Sequence, residues 1–296
     1  MIQAKGTGYF WNIMINLLFI FISLACVVPL LLILSASFTD DMALTINGYS
    51  LIPAKLSLKA YNYIFTSPRQ LITSYRVTII VTVAGTFVSL LFTGMLAYVI
   101  ARRDFYLHRL FSFLILFTLL FNGGMVPSYI MISRYYHLKD TIMVLILPYL
   151  IIPWHVFLMK GFFMDIPTSL IEAAKIDGAR EMYIFFRIIV PISKPAFATI
   201  GLFCAFTYWN DWWLSLLYID NQQLVSLQFY LYRIMNNIQF LTSSIQMANI
   251  TINLADLPNE TARMALCVLA AGPMLLVFPF FQKYFVRGLT IGSVKG

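Results

Sequence analysis

Six long apolar runs, separated by short breaks of charged residues, glycine or proline, set the pattern of this chain. They fall at about 11–36, 72–101, 107–133, 141–163, 195–219 and 262–284. A run of about 20 residues crosses a hydrocarbon core of about 30 Å as a helix, so each run is long enough to be a span. The breaks are chemically sharp: Arg102-Arg103-Asp104 ends the second run, Arg134 to Asp140 divides the third from the fourth, and Arg287-Gly288 follows the last. One interruption is longer. Between Lys160 and Lys194 lie nine ionisable residues, counting both ends, five basic and four acidic. Such a segment is too costly to place in hydrocarbon and predicts a folded polar island at about 164–193. Two further segments lie between runs. Residues 37–71, with Pro53, Tyr61, Asn62, Tyr63 and Pro68, predict a structured loop with a short helix; residues 220–261, rich in Asn and Gln, read as a second loop. The pattern predicts an all-α polytopic membrane protein with one transmembrane domain over 1–296, and neither a repeat nor a separate soluble domain.

Composition agrees. Hydrophobic residues make up 60% and charged residues 11%, against about 25% charged in soluble domains. The net charge of +8 does not signal nucleic acid here, because basic residues beside spans set orientation and meet anionic lipid. With the N-terminus inside, twelve of the 20 Lys and Arg residues lie in inner segments, and the outer segments are longer. Charge bias therefore predicts an N-in, C-in topology, with the island facing the cytoplasm. The first run exceeds the roughly 7–15 residues of a signal-peptide core and is expected to stay as a span. Cys26, Cys204 and Cys267 sit in apolar runs without C-x-x-C spacing, and His108, His137 and His155 are scattered. These read as buried thiols and single polar or interfacial histidines, not metal ligands.

The island has internal order. Pro167 stops one helix and suits the start of another. Ser169 followed by Glu172 fits a capping box, with Thr168 as the alternative cap. Leu170, Ala173, Ala174 and Ile176 offer a small apolar face, and Gly178 permits the left-handed turn that ends the helix. A second helical stretch, Arg180 to Ile189, runs to Pro191. Lys175, Asp177, Arg180 and Glu181 read as a wet charged rim. A helix this short is not stable alone in water, so a partner or neighbouring turn is expected to hold it.

Two groups inside the spans carry candidate chemistry. Trp209, Asn210, Asp211, Trp212 and Trp213 form the densest polar-aromatic cluster of any span. Indole faces and amide or carboxylate groups suit sugars, while an interfacial aromatic belt is the competing reading for Trp212 and Trp213. A carboxylate at the depth of Asp211 is expected to face a cavity or a partner. Gly123, Gly124 and Pro127 interrupt the third span, as a hinge, a cavity lining or a close helix contact.

The order Glu172-Ala173-Ala174, three residues, Gly178, nine residues, Ile188-x-Val190-Pro191 resembles the loop by which permease subunits of bacterial ABC importers dock on their ATPase. Val190 replaces the usual Leu. Phe121 to Pro127, Trp209-Asn210-Asp211, Gln282 to Leu289 and Gly292 to Gly296 extend the likeness over nearly the whole chain. It resembles the six-span, MalG-like (MetI-type fold) subunit of maltose-type carbohydrate importers, within them the LplC/YtcP branch. The resemblance implies a permease for sugars or oligosaccharides paired with a second, MalF-like permease, two copies of a cytoplasmic ATPase and an extracellular solute-binding protein, in a bacterial cell membrane. It implies that Glu172, Ala173, Ala174, Asp177, Gly178, Ile188 and Pro191 serve ATPase docking, and that the C-terminal tail and residues 220–261 reach partners. Trp209, Asn210, Asp211, Trp212, Gly123, Gly124 and Pro127 are the candidate substrate path or gate. The chain has no G-x-x-x-x-G-K-[ST] loop and no Gly-Lys pair, so ATP and Mg are expected on the partner ATPase, with no cofactor and no catalysis here. Competing readings are an ABC importer for another solute, an ion-coupled transporter and an enzyme acting on lipid-linked sugar. The last two lack the intramembrane or surface acid clusters they would need.

Overall fold

The computed structural model describes residues 5–248 and 259–291. Within them the chain is helical. It opens with α1 (Lys5–Ser37), two short helices α2 (Asp41–Asn47) and α3 (Lys59–Ile64), then the long α4 (Pro68–Ala101). Next come α5 (His108–Leu120) and α6 (Met125–Ile130), the latter running into a π-helical turn at Met131–Tyr135. Two 3-10 turns, Ile142–Leu145 and Leu147–Tyr149, precede α7 (Pro153–Met164). The polar island holds α8 (Thr168–Ile176), α9 (Glu181–Ile184), a π-helical turn Phe185–Ile189 and α10 (Val190–Ile192). Then follow α11 (Lys194–Trp209), α12 (Trp213–Tyr218), α13 (Leu227–Ala248) and α14 (Glu260–Ile291).

Among the described residues, three stretches pass as unbroken apolar spans: Trp11–Ser37, Pro68–Ala101 and Glu260–Phe280. The third and fourth expected spans are bent pairs, turning by 111° between α5 and Met125–Tyr135 and by 51° between the 3-10 turns and α7, while a bend of 86° joins Glu181–Ile192 of the island to α11, ahead of the fifth. Continuous helices over 107–133 and 141–163 therefore do not form, and 195–219 is broken between α11 and α12. In the third, Gly124 takes φ 89° and its N–H donates to Asn122 Oδ1 at 2.9 Å, a conformation that glycine adopts without penalty. In the fourth, Pro148 and Pro153 each remove a backbone donor. Side chains supplement the backbone bonds at this break: Tyr208 OH donates to Ile146 O at 3.0 Å, which also takes the Tyr149 N–H at 3.3 Å, and Ser89 Oγ donates to Leu150 O at 2.8 Å. This satisfies the rule that broken backbone at membrane depth must find partners in protein. Ahead of the fifth, Pro191 and Pro195 flank the bend at Ser193; within it the helix stops at Trp209 and restarts at Trp213.

The second expected loop is mostly helix, since α13 covers Leu227–Ala248. Its buried Leu227, Leu231 and Ile238 share one helix face at 3.6-residue spacing, a periodicity that the Asn and Gln content of the segment obscured. Residues 249–258 of that loop, and the terminal Gly292 to Gly296, lie outside the described residues. The run Gln282 to Leu289 belongs to α14.

The chain divides into two compact units, Met1–Pro68 with Leu231–Gly272, and Arg69–Tyr230 with Pro273–Gly296. In the first, Asp41 Oδ1 accepts the N–H and the hydroxyl of Thr261, both at 3.0 Å, at the start of α14. There too Phe38 stacks on Tyr61 at 5.0 Å. In the second, the core joins the end of α4 to α7, the island and α11 through Ala97, Tyr98, Ile100, Met159, Ala174, Ile184, Phe185, Ile189 and Ile200. Helices α4 and α11 approach closely where glycine stands. A Cβ on Gly85 would lie 2.7–2.9 Å from the Tyr208 ring, and one on Gly94 would lie 2.9 Å from Phe197. Small residues at such contacts let helix backbones pack.

Candidate functional site

The island folds around one turn. The N–H of Ala179 donates to Ala174 O at 2.9 Å, and that of Gly178 donates to Lys175 O at 3.0 Å. With Gly178 at φ 79°, this is a Schellman motif, in which a left-handed residue lets the last helical carbonyls be satisfied. The expected capping box is absent. Helix α8 begins at Thr168 after Pro167, with no side-chain cap; the carbonyl of Pro167 takes the Leu170 N–H at 3.2 Å instead. The second stretch is not one regular helix. It passes through the π-helical turn before Pro191, whose missing N–H removes an ordinary helical bond and favours such a bulge.

The apolar positions of α8 divide between two faces. Ala174 is buried, and Ile171 packs on the same core. Leu170, Glu172, Ala173, Ile176 and Asp177 face outward, Ile176 being 86% exposed. The result is an exposed stripe of Leu170, Ala173 and Ile176 at helical spacing, edged by Glu172 and Asp177. Ile188 is half-buried and Pro191 exposed, while Ile189 between them is in the core.

Sequence reading missed a closed ring of four charges at the end of α4. Arg102 Nε donates to Asp104 Oδ1 at 2.8 Å, and its Nη2 meets Asp104 Oδ2. Its Nη1 meets Glu181 Oε2. Lys175 Nζ closes the ring, 3.0 Å from Asp104 Oδ2 and 3.4 Å from Glu181 Oε1. Tyr98 OH accepts from Arg102 Nη1 and donates to Glu181 Oε2, both at 3.0 Å. The Arg102 side chain is only 12% exposed, against 40–56% for Lys175, Glu181 and Asp104. Lys175 and Glu181 are thus paired as well as wet, unlike the solvated rim expected for them. The Arg102 hydrogen bond holds the Asp104 carboxyl well below the usual carboxylate range, and the Asp104 bond raises Lys175. The available signal was alternating charge in two segments that the orientation argument puts on one side. Lys160, counted with the island, instead sits inside α7 and donates to Ser112 Oγ at 3.0 Å.

The polar-aromatic cluster stands at the break between α11 and α12. Asp211 Oδ1 accepts from Tyr149 OH at 2.9 Å and from the Leu214 N–H at 3.4 Å, so its carboxylate ties the broken fourth span to the start of α12. Trp209 is buried. Trp212 and Trp213 are 37% and 40% exposed, with ring centroids 5.6 Å apart and edge to face. Asn210 is exposed and its Nδ2 donates to Phe206 O at 3.0 Å. Gly123, Gly124 and Pro127 are exposed at the α5–α6 break, and a Cβ at either glycine would meet nothing within 4 Å. Among the described residues they are therefore not at a close helix contact.

No family model matches the chain. Over 276 residues it is 39% identical to the polygalacturonan/rhamnogalacturonan transport system permease protein YtcP of Bacillus subtilis (strain 168), covering 93% of this chain and 94% of that one. It is 38% identical over 270 residues to protein LplC of the same organism, covering 91% and 90%. Among solved structures, a bacterial ABC transporter involved in the import of the acidic polysaccharide alginate matches with a TM-score of 0.77 and 27% identity, over 96% of this chain and 100% of that one. Helical architecture, apolar spans, polar island and full-length similarity agree: the chain belongs to the ABC transport permeases, in the group that contains YtcP and LplC.

Proposed function

We propose that this chain is one half of the transmembrane pathway of a binding-protein-dependent importer for oligosaccharides, and that α8 is where a separate ATPase drives it. The observation that carries the reading is the outward stripe of Leu170, Ala173 and Ile176. An apolar stripe on a nine-residue helix beyond the spans, Ile176 being 86% exposed, is unfavourable in water until another protein covers it. The Gly178 turn holds that stripe out, and Glu172 and Asp177 supply charged edges for partner cations. On the orientation argument this face is cytoplasmic. A second, MalF-like permease, two ATPase copies that carry ATP and Mg, and an extracellular binding protein complete the assembly in this reading. A saccharide cargo is supported by the relatives named for polygalacturonan/rhamnogalacturonan transport and alginate import. At the α11–α12 break, the exposed Trp212 and Trp213 rings and the Asn210 amide are the groups suited to meet a sugar. Buried Trp209 and hydrogen-bonded Asp211 would hold that break from behind, and the Gly123-Gly124-Pro127 break would flex beside the path.

Affinity purification of the tagged chain in mild detergent tests this. An ATPase and a second permease should co-purify with wild type, and the ATPase should be lost from Glu172→Ala and Ile176→Glu. Equal ATPase recovery from wild type and Ile176→Glu would overturn the assignment of α8.

A further inference from the structure

We propose that Arg102 is a positioning residue for energy coupling: the ring Arg102–Asp104–Lys175–Glu181 pins both arms of the Gly178 turn to the end of α4 and passes displacement of α8 into that span. The inference rests on the reading of α8 as the ATPase-docking helix. Lys175 belongs to α8 and Glu181 opens α9, so their 3.4 Å contact bridges the turn. Arg102 and Asp104 directly follow α4, and each contacts one of these two arms. Tyr98 of α4 is tied in through its hydroxyl, with the Arg102 guanidinium 5.5 Å over its ring.

Two cavities flank the ring. One of about 350 Å³ is lined by Met95, Tyr98, Phe105, Met182 and Phe185 with the ring residues. The other, of about 360 Å³, is lined by Phe163, Ile166, Thr168, Ile171 and Glu172 with Arg102, Asp104 and Lys175. The island and the end of α4 share an apolar core, in which the Tyr98 and Phe185 rings lie 5.6 Å apart, and these two spaces open beside it at the level of the ring. There directional, charge-assisted bonds fix a register that apolar contact alone would leave free to slide. Four half-exposed surface pairs would add little stability. Here the least exposed member, Arg102, is the hub, so its fork sets the geometry of the others.

The test uses the complex co-purified with its own ATPase, with Cys26 and Cys267 replaced by Ser. A spin label is introduced by Arg180→Cys in the loop, or by Ile72→Cys at the far end of α4. The response to Mg-ATP and vanadate is read at both labels. In wild type both labels should respond. In Arg102→Gln, and in Glu181→Gln, the Ile72 response should fall at least threefold while the Arg180 response stays. The double variant should be no worse than the stronger single, because both changes break one ring. Arg102→Lys, which keeps the charge but loses the fork, should fall between wild type and Arg102→Gln. An unchanged Ile72 response in both Gln variants, or losses that multiply in the double, would overturn the inference and leave docking intact. A silent Arg180 label in wild type would instead remove the docking reading on which it rests. Should Arg102→Gln fail to assemble, Glu181→Gln, which alters a 54% exposed side chain, decides the question alone: a preserved Ile72 response there overturns the inference.

Discussion

The Gly178 turn offers the most direct quantitative check. Gly178 sits at φ 79° and a Cβ there would meet nothing within 4 Å, so replacing it adds no clash with neighbouring residues. The whole cost is the left-handed backbone of an L-residue, about 1–2 kcal/mol. Alanine should bear that cost. Asparagine, which tolerates this region better, should bear less, and β-branched valine more. The open turn breaks the Ala179-to-Ala174 and Gly178-to-Lys175 bonds, so amide hydrogen exchange at these positions reads the opening free energy. At about 1.4 kcal/mol per factor of ten, Gly178→Ala should lower the protection factor of the residue 179 amide roughly 5- to 30-fold. Gly178→Asn should lower it less and Gly178→Val more, while protection within α11 stays constant. Equal protection in wild type and Gly178→Val would refute the reasoning, because the turn would then not need its left-handed residue.

Two other outcomes follow from packing and charge. Gly85→Ala should destabilise the folded chain by about 1–3 kcal/mol through overpacking on Tyr208; thermal unfolding in detergent checks this, and Tyr208→Leu in the same chain should recover part of the loss. In the ring, the depressed Asp104 contributes above its unfolded pKa of about 4 and is lost as pH falls through its lower folded value. The raised Lys175 contributes below its unfolded pKa of about 10.4 and is lost as pH rises through its higher folded value. With Tyr98 and Glu181 as the other facing groups, the Ile72 label response should stay flat between about pH 5 and 9. A midpoint near neutral would point to a different set of groups.

What the sequence determined by itself is what depends on local order along the chain. Apolar runs of span length, the charged breaks and the bias of basic residues define a polytopic helical membrane protein, since each run must satisfy its backbone internally and exclude charge. The Gly178 turn was legible because a left-handed residue after a short helix has few alternatives to glycine. Similarity to YtcP and LplC over 91–93% of the chain agrees with the permease family that the order around Glu172, Gly178 and Pro191 resembled. The tertiary structure decided what depends on partners distant in sequence. Ser89 and Tyr208 can stabilise broken backbone at Leu150 and Ile146 only once α4 and α11 lie beside it. Asp211, expected to face a cavity or a partner, is engaged by Tyr149, 62 residues away. Arg102, read as the end of a span, becomes the hub of a ring whose other arm lies 79 residues on. Side-chain charge and spacing were visible in each case. Which groups meet was not, because that depends on how helices bend at their glycines and prolines and which faces they then bring together.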